Sequence, residues 1–348
     1  MRALVLQEFG RMAVVEMATP TAGPGEVLLR IFATGICGSD LHGFTGENGR
    51  RVPGQVMGHE SVGTVVGVGV GVDAAKFPAG HVATFNPVLV SDDDAVTFAG
   101  REQHAPGKKV IGVASELVSS FAEYVAVPQR NVVLLSSEMP IRYGALIEPL
   151  AVALHAVRRL SAKPGDKLLV IGGGPIGQSV VLAARSEGII DIVVSEVDHQ
   201  RRQLCENLGA MVIDPTVSAV SEQVIGIFGS LADATVDAVG ITRTVADALL
   251  ATRFGGSVCL VGMGAPRLDL DAYRVSTEER ALIGSFTYNN KDFEDAAQWV
   301  AGRHRELSYL ISREVSLEDA PAAFAALAAN DGTPGKVLVR LDSSGEGS

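Results

Sequence analysis

Residues 167–177 read KLLVIGGGPIG, an apolar run that passes straight into Gly172-x-Gly174-x-x-Gly177. No other feature restricts the fold of this chain as much. A short, unbroken apolar run closed by glycine is the pattern of a strand buried on both faces. Pro175 suits the first turn of a following helix, where its missing N–H costs nothing. The residues that follow keep the alternation. Helices are expected at 175–187, 199–207 and 244–252, and strands at 191–195, 234–239 and 257–261. Strands that alternate with helices build a parallel sheet covered on both faces.

Each glycine of the motif has a physical task. Gly172 permits the tight turn, Gly174 lets the backbone approach a pyrophosphate, and Gly177 lets helix and strand pack closely. Gly174, Pro175 and Ile176 carry the chain into a helix whose free N–H groups and positive end would face the phosphates. Glu196 ends the next strand, 19 residues after Gly177. A carboxylate there accepts the adenosine ribose hydroxyls and repels a 2′-phosphate, so NAD is favoured over NADP. Arg201 is the nearby residue that would receive such a phosphate. Val239, Val261 and Gly262 end later strands of the same sheet, where ligands bind. The plainer alternatives are a glycine turn without ligand and a solvated Glu196. The strand before, the helix after and the acid beyond weigh against them.

The first 135 residues differ. Short strands are expected at 3–7, 13–17, 27–34, 61–70 and 122–127, punctuated by Pro24, Pro53, Pro78, Pro87 and Pro128. That spacing describes an irregular β-rich domain. A helical pattern runs over 142–161; later helices are expected at 292–301 and 317–329, and a strand at 336–341. Domain limits fall near 147 and 289, with residues 1–147 and 290–348 in one domain and 148–289 in the other. With 348 residues, 47% hydrophobic, the chain can fill two cores. A net charge of −11 offers no basic stripe to a nucleic acid. No apolar run reaches the ~18 residues of a membrane helix, and Glu8 interrupts the opening MRALVLQEFG, so no signal segment forms. A soluble, cytoplasmic protein is expected. Three cysteines do not make a disulfide framework.

Two clusters in the first domain carry chemistry: GICGSDLH at 35–42 and GHE at 58–60, with His59 22 residues beyond Cys37. Glu148 stands in EPL at the domain junction. Thiolate, imidazole and carboxylate make a plausible zinc set, since catalytic zinc takes three protein ligands and keeps one position open. Alone, Cys37 reads as a core cysteine and His59 as a structural histidine. Ser39 reads equally as a helix cap, and His42 as a surface histidine.

These motifs, with FAEYVAVP at 121–128, EPLAVALHAV at 148–157 and the glycine loop, give nearly the whole chain a resemblance to the zinc-containing medium-chain dehydrogenases. The nearest branch is that of sorbitol and threonine dehydrogenases. The resemblance implies an α/β protein in which a GroES-like β-rich catalytic domain is joined to a Rossmann coenzyme domain, with the active site in the cleft. It implies that Cys37 and His59 bind the metal, with Glu60 and Glu148 completing the sphere directly or through water. Ser39 would bond the substrate oxygen, and His42 would pass the proton to solvent through the nicotinamide ribose. Asp40 would orient His59. The activity implied is hydride transfer between a secondary alcohol or polyol and NAD, in a homodimer or homotetramer. Two features depart from the family. Residues 84–118 lack the four cysteines of a structural zinc lobe, so one catalytic zinc is expected and the Asp92–Asp94 run reads as a solvated loop. Tyr288 keeps a polyol-pocket position, but Thr287 stands where those relatives carry arginine, and Phe44 where they often carry tyrosine. A more apolar pocket, suited to a less hydroxylated alcohol, is expected. A zinc-free NADPH quinone or enoyl reductase and a non-catalytic dinucleotide-binding protein are the competing readings, and the intact ligand set argues against both.

Overall fold

The strand Leu168–Ile171 is buried at all four positions, and so is its neighbour Ile192–Ser195. Each aliphatic side chain removed from water in this way contributes about 1.5–3 kcal/mol. The computed structural model describes residues 1–47, 49–302 and 305–342. It divides into two compact units, Pro149–Tyr288 and Met1–Glu148 with Asn289–Ser348.

The Pro149–Tyr288 unit is a six-stranded parallel sheet. Its order is Met211–Ile213, Ile192–Ser195, Leu168–Ile171, Ala232–Asp237, Thr252–Leu260 and Ala281–Gly284. Numbered within the unit, that is 3-2-1-4-5-6, the doubly wound Rossmann order. The order reverses between Leu168–Ile171 and Ala232–Asp237, which marks the crevice where such sheets take ligands. Two strands of this sheet, Met211–Ile213 and Ala281–Gly284, and the helix Val220–Phe228 were not anticipated from the sequence.

The other unit is β-rich. The ten-residue strand Glu26–Gly35 organises its seven-stranded sheet by pairing with three others. Its first half pairs with Tyr124–Pro128, its last residues with Lys336–Arg340, and its whole length with Glu60–Val68. A hairpin of Arg2–Glu8 and Arg11–Glu16 lies on this core. Phe324 is fully buried and meets Phe121 edge-on at 5.4 Å and Phe44 at 5.8 Å. Among the described residues no helix is long and apolar enough to cross a membrane.

Two expected elements differ in form. The helical pattern over 142–161 resolves into a 3₁₀ segment, Ile141–Leu146, and the helix Ile147–Arg159. Pro149 explains the break: it is tolerated in a first turn, but its ring would clash within a helix continuing from the residues before it. The aspartate run forms a short helix, Asp92–Thr97, capped by the Ser91 hydroxyl, which accepts from the Asp94 N–H at 3.1 Å.

Candidate metal centre and dinucleotide site

The residues expected to bind the metal are brought together by strand pairing. Gly35 sits opposite Glu60, the first residue of its strand. Two residues past Gly35, Cys37 caps the helix Gly38–Thr45. Asp40, in the first turn of that helix, reaches back so that its Oδ2 accepts the Cys37 N–H at 3.2 Å. This fixes the turn on which the sulfur stands. One ligand atom from each of Cys37, His59 and Glu60 lies within 4.8 Å of the others.

Gly35 has a second role. Glu60 and Lys336 lie on the two strands flanking it, and their side chains meet over the bare glycine. Lys336 Nζ donates to Glu60 Oε1 at 2.7 Å, with both side chains almost wholly buried. A Cβ at Gly35 would fall 2.2 Å from Glu60 Oε2 and 3.2 Å from Lys336 Cδ. A second buried cation, Arg51, brings Nη2 to 3.6 Å from Asp40 Oδ1, which is itself 3.7 Å from His59 Nδ1.

The electrostatics are those of a cage with excess negative charge. Burial works against a charged His59, but Asp40, Cys37 and Glu148 outweigh it and hold its pKa up at about 10. Burial likewise opposes the Lys336 charge, and Glu60, Cys37 and Glu148 raise its pKa above the ordinary lysine value. His59 Nδ1, Asp40 Oδ1 and Glu60 Oε2 are buried without hydrogen-bond partners. Buried polar atoms are rarely left so; His59 Nδ1 and Asp40 Oδ1 face each other across 3.7 Å, and Glu60 Oε2 is left as an oxygen that an ion would satisfy. Sulfur, imidazole nitrogen and carboxylate oxygen are the donor set that zinc takes. The residues present therefore fit the metal.

The other expected residues are placed as follows. Glu148 is 6% exposed on the first turn of Ile147–Arg159. It acts on His59 through its field but is not among the three converging ligands. Ser39 is half-buried in the turn after Cys37. His42, on the same helix, lies nearer solvent, with Nδ1 3.1 Å from Glu47 Oε2. Of the aromatics expected at the substrate pocket, Phe44 is buried and packs against Phe324, and Tyr288 is buried.

In the parallel-sheet unit the glycine loop has the form its spacing predicts. Gly172 has φ +96°, and a Cβ at Gly177 would fall 1.8 Å from the Gly172 carbonyl oxygen. Gly174 caps the helix Pro175–Ser186, which carries Pro175 in its first turn with Ile176 beside it. Gln178 Nε2 donates to the Gly173 carbonyl at 2.7 Å and steadies the loop. Glu196 Oε1 accepts the Asp198 N–H at 2.8 Å. Arg201 reaches the loop, its Nη1 3.9 Å from where a Cβ at Gly174 would lie. A cavity of about 250 Å³ opens here, lined by Gly172, Glu196, Thr216, Val239, Arg243 and Asp247 among others. Asp237 Oδ1 accepts the Val239 and Gly240 N–H groups, and the Asp237 carbonyl accepts those of Val261 and Gly262. One buried acid thus gathers the three expected strand-end residues at the carboxyl edge of the sheet.

Sequence reasoning missed Lys336, Arg51 and Asp237. A lone lysine or arginine in a sequence reads as solvent-facing, and only the strand order shows Lys336 beside Glu60.

Comparison with known proteins follows the same division. Residues 23–137 match the alcohol dehydrogenase GroES-like domain family and residues 175–302 the zinc-binding dehydrogenase family. Sorbitol dehydrogenase of Gallus gallus is 30% identical over 348 residues, covering 98% of this chain and 96% of that protein. Among solved structures, 2R,3R-butanediol dehydrogenase from Bacillus subtilis superposes with a TM-score of 0.88 at 27% identity, covering 98% of this chain and 99% of the other. A zinc-binding dehydrogenase from Sinorhizobium meliloti 1021, bound to NADP, gives 0.89 at 30% identity, covering 97% and 98%.

Proposed function

The chain belongs to the zinc-containing medium-chain dehydrogenases, in their sorbitol dehydrogenase-like branch, and on that premise we propose that it oxidises a secondary alcohol of few hydroxyls with NAD. That it is an alcohol or polyol dehydrogenase using zinc and a nicotinamide cofactor follows from the family. The single observation carrying the residue assignment is the convergence of Cys37, His59 and Glu60 within 4.8 Å around buried polar atoms that lack partners.

Zinc supplies Lewis acidity toward the alcohol oxygen, and the nicotinamide supplies the hydride acceptor. Cys37, His59 and Glu60 would hold the metal, with Glu148 to complete the sphere directly or through water. Asp40 fixes His59. Ser39 bonds the substrate hydroxyl and gives up its own proton as it accepts the substrate's, and His42, near solvent beside Glu47, carries the released proton outward. The carbinol carbon gives up its hydride as its oxygen gives up its proton, leaving a carbonyl. Gly172, Gly174, Ile176 and Gly177 place the pyrophosphate at a helix N-terminus. Glu196 receives the adenosine ribose, and its charge sets NAD above NADP. Val239, Val261 and Gly262 line the nicotinamide half. Thr287, in place of an arginine, leaves the substrate without a cationic partner for sugar-alcohol hydroxyls. We place one zinc in each subunit, and the enzyme in the cytoplasm as a homodimer or homotetramer.

A panel of secondary alcohols and polyols, followed by NADH absorbance on protein of measured zinc content, tests this reading. About one zinc per chain, with turnover of small secondary alcohols above that of hexitols, is expected. Metal-free protein that reduces quinones with NADPH would overturn it.

A further inference from the structure

We propose that Lys336 is a positioning residue for the metal. By holding one oxygen of Glu60 it keeps the other turned toward the ion. The inference rests on the zinc reading above and carries it to a residue 276 positions from Glu60 in the chain.

Three observations carry it. The Lys336 ammonium is within 2.7 Å of Glu60 Oε1 and also 3.4 Å from the Ile36 carbonyl, so it is tied at two points next to Cys37. A carboxylate gripped at one oxygen by a buried, doubly held donor has lost its freedom to rotate. The oxygen left over, Oε2, is buried and has no hydrogen-bond partner. The bare Gly35 between the two strands is what lets this pair form at all. Groups that orient a metal ligand from behind are worth about 10- to 100-fold in metal affinity.

A lysine that merely neutralised a buried acid would stabilise the fold without setting the coordination of the ion. The test therefore reads the metal itself. Zinc affinity is measured by chelator competition on the full chain, and the visible absorption bands are recorded after cobalt(II) substitution. Lys336→Met should weaken zinc about 10- to 100-fold and shift the cobalt bands, and Lys336→Arg should restore both to within about threefold. In a Glu60→Gln background, adding Lys336→Met should change zinc affinity by less than about threefold, because its route to the metal is already gone. This pair of variants carries the test alone if Lys336→Met leaves Glu60 unpaired and the chain fails to fold. Unchanged affinity and cobalt bands in Lys336→Met would overturn the proposal. So would a further loss of affinity when the change is added to Glu60→Gln. A parent chain that bound no zinc would instead remove the metal reading, so the two failures are distinct.

Discussion

Glu196 Oε2 accepts a hydrogen bond from the Gly173 amide at 2.7 Å, so the acid after one strand braces the glycine loop after its neighbour. Its other oxygen holds the Asp198 amide. Glu196→Ala therefore does two things: it removes the charge a 2′-phosphate would meet, and it leaves two amide donors without an acceptor. We expect kcat/KM with NAD to fall about 10- to 100-fold and the NADP/NAD ratio of kcat/KM to rise. Initial rates with both cofactors check this, and an unchanged ratio would take Glu196 out of the site.

Cys37→Ala should lower zinc content and turnover together, each by about tenfold or more, because the variant keeps only nitrogen and oxygen donors. Metal analysis beside the NADH assay decides it. Retained zinc with full turnover would count against Cys37 as a ligand.

Gly35→Ala places a methyl 2.2 Å from Glu60 Oε2. The carboxylate must move or the strands must part. The expected cost is about 1–3 kcal/mol of stability, with zinc lost before the fold is. Thermal unfolding and zinc content of one preparation separate the two effects, and normal zinc binding would show that the Glu60 geometry is not critical.

A pH dependence follows from the hairpin. Arg2 gives Glu123 a backbone bond at 2.8 Å and a side-chain bond at 2.9 Å. Burial opposes the Glu123 charge, but these bonds prevail and hold its pKa below the ordinary value. An acid whose pKa falls on folding stabilises the fold above its unfolded pKa, and that stabilisation is lost as pH drops through the folded value. Glu123→Gln should cost about 1–2 kcal/mol at neutral pH, and the gap from the parent should close below about pH 4. Melting temperatures of both chains from pH 3 to 8 test the sign; a gap that widened in acid would refute it.

Much of the parallel-sheet unit was legible because glycine, proline and apolar runs act locally. The helix expected over 199–207 is the helix observed, His199–Asn207. Met211–Ile213 and Ala281–Gly284 escaped because three or four residues carry too little periodicity. Ile311–Ser316 escaped because its charged, exposed residues hide the alternation of a strand. That Cys37, His59 and Glu60 converge could be expected from residue type and motif. Their supporting cations could not, since Arg51 and Lys336 acquire their roles only through burial. The packing of Phe44 against Phe324 was hidden for the same reason: a sequence shows that an aromatic is present but not which way it is turned.

The meeting of Lys336 with Glu60 over Gly35 also sets an order of events at the ribosome. Cys37, His59 and Glu60 leave the exit tunnel early, but the residue that grips Glu60 is synthesised 276 positions later. At about 5–20 residues per second, that is roughly a quarter of a minute to one minute. An ion captured by the nascent chain would wait that long in a half-built nest, exposed to exchange with whatever other metals the cell offers.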